Sequence, residues 1–151
     1  MKHYQLGLYE KAMPGTLSWR EKLKTAKRAG FDFVEISIDE SDEKLARLDM
    51  STAERMALVR EMSEAGLPIR SMCLSGHRKY PLGSSDPAVC TRSIEIMEKA
   101  VRLAADLGVR IIQLAGYDVY YEDSTPDTAA RFLENLSFAA MLAAQSGVLL
   151  G

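Results

Sequence analysis

Four times along this chain a helical pattern closes on a glycine, and a short apolar run follows at once. The segments are Ala29-Gly30-Phe31-Asp32-Phe33-Val34-Glu35-Ile36, Ala65-Gly66-Leu67-Pro68-Ile69-Arg70-Ser71-Met72, Leu107-Gly108-Val109-Arg110-Ile111-Ile112-Gln113-Leu114 and Ser146-Gly147-Val148-Leu149-Leu150. The glycines step by 36, 42 and 39 residues, from 30 to 66 to 108 to 147. Glycine reaches the left-handed conformation that ends a helix without a Cβ clash, so each position reads as a helix stop leading into a strand.

The intervening segments have helical faces: Leu17, Trp19, Leu23, Ala26 and Lys27 in the first, Met56, Val59 and Met62 in the second, Ile94, Met97, Val101 and Ala104 or Ala105 in the third, and Ala129, Phe132, Leu136, Ala139 and Ala143 in the fourth. Steps of three and four residues make each a stripe that can be buried. Start signals agree: Ser51 with Glu54 forms a capping box, and Asp86-Pro87 and Thr125-Pro126 place proline at the first turn. A strand at Gln5-Leu6-Gly7-Leu8-Tyr9 precedes the first helix.

Strict strand-helix alternation implies an α/β fold with a parallel sheet and right-handed crossovers. An open dinucleotide-binding sheet carries a glycine-rich phosphate turn after its first strand, whereas this chain has Tyr9-Glu10-Lys11-Ala12-Met13-Pro14-Gly15 there. A β/α barrel is favoured. A full (β/α)8 TIM barrel needs about 250 residues, and the 151 residues hold four βα units plus the start of strand five. The expectation is a single partial domain over residues 1–151, the N-terminal half of a TIM barrel, truncated at Val148-Leu149-Leu150-Gly151.

A formal net charge of −2 gives no reason to expect nucleic acid, which demands concentrated Lys and Arg. The run Lys22, Lys24, Lys27 and Arg28 is expected to be the solvated face of a helix. No apolar stretch reaches the roughly 20 residues of a membrane span, and the first residues lack a signal-peptide core, so a cytoplasmic protein is expected. Cys73 and Cys90 lie in no CxxC spacing, which argues against a disulfide framework or zinc site, and Cys73 is expected to be a small buried hydrophobe.

Barrel sites form at the C-terminal ends of the strands. Those ends hold Tyr9, Glu10 and Lys11, then Glu35, Ser37, Asp39 and Glu40, then Ser75, His77, Arg78 and Lys79, then Gln113, Gly116, Tyr117, Asp118, Tyr120 and Tyr121. His77, beside two cations, suits sugar hydroxyls or an anionic group, or else a hydrogen bond to loop backbone. Glu35, within an apolar strand, needs a partner: it points into the barrel mouth or pairs with Arg70 or Arg110. The three tyrosines form a substrate wall or pack loops together. His3 is expected to be exposed or disordered. The sequence shows no metal-ligand spacing, P-loop or nucleophile motif.

Leu6-Gly7-Leu8-Tyr9-Glu10-Lys11-Ala12, Gly30-Phe31-Asp32-Phe33-Val34-Glu35, Met72-Cys73-Leu74-Ser75-Gly76-His77-Arg78 and Gln113-Leu114-Ala115-Gly116-Tyr117-Asp118-Val119-Tyr120-Tyr121 together closely resemble the L-ribulose-5-phosphate 3-epimerases. These are also called L-xylulose-5-phosphate 3-epimerases and are xylose-isomerase-like barrels. The resemblance runs along nearly the whole chain. It implies inversion at C3 of a ketopentose 5-phosphate, in pathways such as L-ascorbate breakdown. It also implies a divalent metal that polarises the substrate and two glutamates that exchange the C3 proton on opposite faces.

The family's metal ligands, two glutamates, an aspartate and a histidine, lie on the later strands, and none maps onto this sequence. The resemblance therefore assigns this chain no catalytic residue, no metal ligand and no cofactor of its own. It carries over Tyr9, Glu35, His77 and Tyr117 as substrate-pocket residues, with a sugar phosphate as the partner. Alternatives are a non-catalytic half-barrel that pairs with a second copy, and a small α/β binding module.

Overall fold

A computed structural model describes residues 4–151; His3 lies outside the described residues. The strands are β1 (Gly7–Tyr9), β2 (Phe33–Ile38), β3 (Ile69–Leu74), β4 (Ile111–Leu114) and β5 (Leu149–Leu150). All neighbouring pairs are parallel and the order in the sheet is the order in the chain. The helices are α1 (Trp19–Arg28), α2 (Asp42–Leu45), α3 (Thr52–Ala65), α4 (Pro87–Leu107) and α5 (Pro126–Gln145). Unbroken order with a helix in each crossover is the progression of a barrel wall, as expected. Among the described residues, no helix is long and apolar enough to cross a membrane.

The local signals act as their chemistry demands. Ser51 and Glu54 form a reciprocal capping box at α3, and Asp86 and Thr125 cap α4 and α5 ahead of Pro87 and Pro126. Gly66 and Gly108 cap α3 and α4 at φ 60° and 73°, in the left-handed region. Two features went unread in the sequence. Ser18 and Glu21 make a capping box at α1, and Ser41 caps the short α2, which runs into a 3-10 turn over Ala46–Asp49.

The helices cover one face of the sheet. Val34, Ile36, Ile38, Met72, Leu74 and Ile112 point to that side and are fully buried, against Leu23, Leu58, Ile96, Met97 and Ala139 among others. On the opposite, inner face, pairing aligns Tyr9, Glu35, Ser71, Ile111 and Leu149 in one row and Ser37, Cys73 and Gln113 in the next. The inner face is polar toward β1 to β3 and apolar toward the β5 edge, where Ile111 and Leu149 are exposed.

Several expected faces need correction. Strand one begins at Gly7 rather than Gln5: the Leu6 N–H goes to the Asp32 carboxylate, while the Leu6 carbonyl accepts from the Asp32 N–H. In α3 the buried stripe is Arg55, Leu58 and Met62, and Met56 is exposed. Arg55 turns inward because its guanidinium finds the carbonyls of Leu48 and Met50 and the carboxylate of Asp106. In α1, Lys27 points outward and donates to the Gly66 carbonyl, whereas Lys22, expected in solvent, is buried. In α5, Ala129 is exposed and Thr128 takes the buried position.

Candidate functional site

The candidate residues fall into two groups, one midway along the inner face of the strands and one on the loops that follow β3 and β4. On the inner face the Tyr9 hydroxyl lies 3.0 Å from the Ser37 hydroxyl, and the Ser71 hydroxyl donates to Glu35 at 2.7 Å. Burial raises the Tyr9 phenol, and the Ser37 bond opposes that only in part. Glu35 thus takes a hydroxyl partner where a guanidinium was one alternative. Arg70 donates instead to Gln5, and Arg110 to the Gly147 carbonyl.

A one-residue register shift between Val34 and Glu35 explains the exchange. Val34 faces Ile69, but Glu35 faces Ser71, so Arg70 is the extra residue. A cleft of about 870 Å³ opens on this face, lined by Gln5, Phe33, Glu35, Arg70, Ser71 and Arg110 among others.

The second group sits on the loops after β3 and β4. The Arg78 guanidinium stacks 4.9 Å from the Tyr120 ring centroid, Tyr117 and Tyr120 lie 5.1 Å apart, and Tyr120 meets Tyr121 edge-on at 4.8 Å. The Tyr121 hydroxyl reaches the Glu40 carboxylate at 3.2 Å, which ties this wall to the loop after β2. Arg78 lies against the Tyr117 hydroxyl, which holds it above its ordinary value, while burial raises Tyr117. The contact is electrostatic and poorly aligned, because Tyr117 Oη and Arg78 Nε are buried with no hydrogen-bond partner of good geometry.

His77 faces away from both groups. It is buried, and its Nε2 lies 3.1 Å from the Ser93 carbonyl oxygen on α4. A carbonyl only accepts, so Nε2 carries the proton and the neutral ring is the Nε2–H tautomer. Burial lowers it to about 4, with the Ser93 bond opposing. The loop histidine therefore bonds backbone, one of its two expected roles, and anchors the turn that presents Arg78.

The rim is braced by charge. Burial works against the Asp39 carboxylate, but the Lys11 ammonium and the Ser41 hydroxyl and N–H overcome it and bring it down to about 2. Gly83 lets the loop after β3 pass against the β4–α5 loop: a Cβ there would meet the Thr128 and Asp118 carbonyl oxygens at 2.5 and 2.7 Å. Cys73 and Cys90 are free and half-buried, so the expected full burial of Cys73 is not met: it lies on the inner face. Among the described residues no group of three or more His, Cys, Asp or Glu side chains can hold a metal ion. The divalent metal implied by the resemblance finds no fitting donor set here.

A parallel wall of βα units, with helices outside and a polar inner face, is the architecture of a β/α barrel. The chain belongs to the xylose isomerase-like TIM barrel family, which residues 23–151 match. Over 99% of its length it is 59% identical to SgbU of Escherichia coli (strain K12) and 50% identical to the L-ribulose-5-phosphate 3-epimerase UlaE of Salmonella heidelberg (strain SL476). It covers 52% of each, so the chain spans about half the length of the curated relatives it matches. Solved structures share the fold: a D-psicose 3-epimerase crystallised in the presence of D-fructose at a TM-score of 0.79 and 17% identity, and an L-ribulose 3-epimerase at 0.73 and 25%. This chain is covered to 97% in both cases, and those chains to 51% and 48%.

Proposed function

We propose that this chain provides half of a sugar-phosphate 3-epimerase that interconverts L-ribulose 5-phosphate and L-xylulose 5-phosphate, and that it binds substrate without turning it over alone. The observation that carries the reading is 50% identity to UlaE across 99% of this chain, which includes the inner face and the whole rim. Tyr9 and Glu35 present a phenol and a carboxylate that hydrogen-bond sugar hydroxyls, each held in orientation by a serine. Tyr117 and its neighbours Tyr120 and Tyr121 form an aromatic wall that excludes water, and Arg78 adds a cation to it. His77 positions that loop from behind. Among the described residues Glu35 is the one carboxylate side chain that lines the cleft, so an exchange of the C3 proton between two carboxylates is not completed by these residues. A cytoplasmic setting fits a metabolic role of this kind.

The test is an assay of the purified chain with L-ribulose 5-phosphate in the presence of Mn²⁺ or Mg²⁺. No L-xylulose 5-phosphate is expected, while equilibrium binding of the sugar phosphate is expected and weakens in Glu35→Gln and Tyr117→Phe. Turnover by the chain alone, or absence of binding, overturns the proposal. The exposed Ile111 and Leu149 on the inner face favour a second reading, a non-catalytic half-barrel that pairs with another copy. Light scattering decides it, since a clean monomer at micromolar concentration rules pairing out.

A further inference from the structure

Behind β1, outside the lumen, four charged side chains crowd around one tryptophan. Glu10 is 1% exposed and accepts from Arg47 Nη1 at 2.7 and 2.9 Å, and Lys44 Nζ lies 3.1 Å from it. Arg47 Nη1 also donates to the Ser37 carbonyl. Lys22 is 3% exposed. Its ammonium sits 5.3 Å from the Trp19 ring centroid, and the Arg47 guanidinium 5.2 Å from the same ring.

The single buried carboxylate is thus taken up by Arg47 and Lys44. Among the described residues Lys22 makes no hydrogen bond to a carboxylate or carbonyl: its ammonium rests on the ring and feels the Glu10 charge from a distance. Glu43, the other nearby acid, is largely in solvent and leans on Lys44. Lys22, Lys44 and Arg47 therefore share the buried Glu10 and the exposed Glu43, which leaves the cluster one positive charge in excess.

A cavity of about 340 Å³ opens at this spot, lined by Lys11, Lys22 and Lys44, by Glu10 and Glu43, and by Gly15 and Met13. Lys11 stands at its mouth, tied to Asp39. A lysine only 3% exposed whose ammonium has no hydrogen-bond acceptor, lining a cavity with two further lysines, can take what an oxyanion supplies: negative charge and several acceptor atoms.

We propose that this cavity binds a phosphate group, with Lys22 and Lys44 as the ligating cations. The site lies outside the lumen, so it is separate from the sugar-binding face, and its failure would leave that reading intact. Inorganic phosphate and the phosphoryl group of a sugar phosphate offer the same chemistry.

Trp19 is the sole tryptophan and touches both Lys22 and Arg47, so its fluorescence reports the site directly. The chain is titrated at constant ionic strength with inorganic phosphate, L-ribulose 5-phosphate and L-ribulose. The expected result is a saturable change with either phosphate and none with L-ribulose. Response to inorganic phosphate identifies a free-oxyanion site, and response to L-ribulose 5-phosphate alone identifies the phosphoryl group of a metabolite. Lys22→Met keeps the buried volume and removes the charge, and it raises the dissociation constant about 10-fold or more, the scale of one charge-assisted hydrogen bond. Lys44→Gln acts in the same direction should Lys22→Met fail to fold, and Lys24→Gln on the exposed side of α1 has no effect. No saturable response in the wild-type chain, or an undiminished one in the folded lysine variants, overturns the proposal.

Discussion

The buried His77 makes stability depend on pH in a window where little else titrates. In the unfolded chain its imidazole takes a proton near its ordinary 6.5, whereas in the fold burial holds it at about 4. Between those values the unfolded state binds one more proton than the native state. Stability therefore falls as pH drops from 6.5 toward 4 and returns in full above 6.5. At about 1.4 kcal/mol per pH unit the whole loss is about 3 kcal/mol, of which about 2 kcal/mol accrues between pH 7 and pH 5. Asp39, depressed to about 2, acts at lower pH, as its contribution is lost only between 3.8 and 2.

Urea unfolding at several pH values from 5 to 7 measures the effect, with His77→Gln as the reference. The glutamine amide can still donate to the Ser93 carbonyl but does not titrate, so the variant's stability is expected to stay flat over the window. An equally flat wild-type profile, or an NMR titration of folded His77 centred near 6.5, would refute the reasoning.

Removing the carboxylate in Glu10→Gln leaves Arg47, Lys44 and Lys22 buried without their anion, and a loss of about 3–5 kcal/mol is expected in urea unfolding. Ile112→Ala, on the fully buried helix side of the sheet, is expected to cost about 2–5 kcal/mol, while Ile111→Ala, its neighbour on the inner face, costs under about 1 kcal/mol. Equal losses at 111 and 112 would mean that the inner face is covered in solution.

The layout of the fold could be read because it rests on local chemistry. Gly66 and Gly108 stop helices through φ alone, and Ser51, Asp86 and Thr125 start them through one side-chain oxygen each. Phase was harder. A helical stripe read from apolar residues favours Met56 over Arg55, yet Arg55 is buried because carbonyls from the preceding turn and Asp106 from α4 satisfy it. Lys22 misleads in the same way: its burial depends on Trp19 and on the cluster around Glu10, which includes side chains more than 20 positions away.

The site followed this division. Strand ends picked out Tyr9, Glu35 and Tyr117 together with the loop that holds His77. Which way His77 turns was settled by Ser93 on the next helix, a partner that no local pattern announces.

The register shift in β3 also bears on how such a wall can change over evolutionary time. Deleting Arg70, the extra residue, would make Ile69 and Ser71 consecutive and bring β3 into plain alternation with Val34 and Glu35, so Met72 and Leu74 would stay in the apolar layer and Ser71 and Cys73 on the inner face. The bulge is thus the point at which this wall can lose a residue without exchanging its wet and dry faces. Point substitutions can tune this surface one group at a time, and at this one position the loss of a codon would leave its polarity in place.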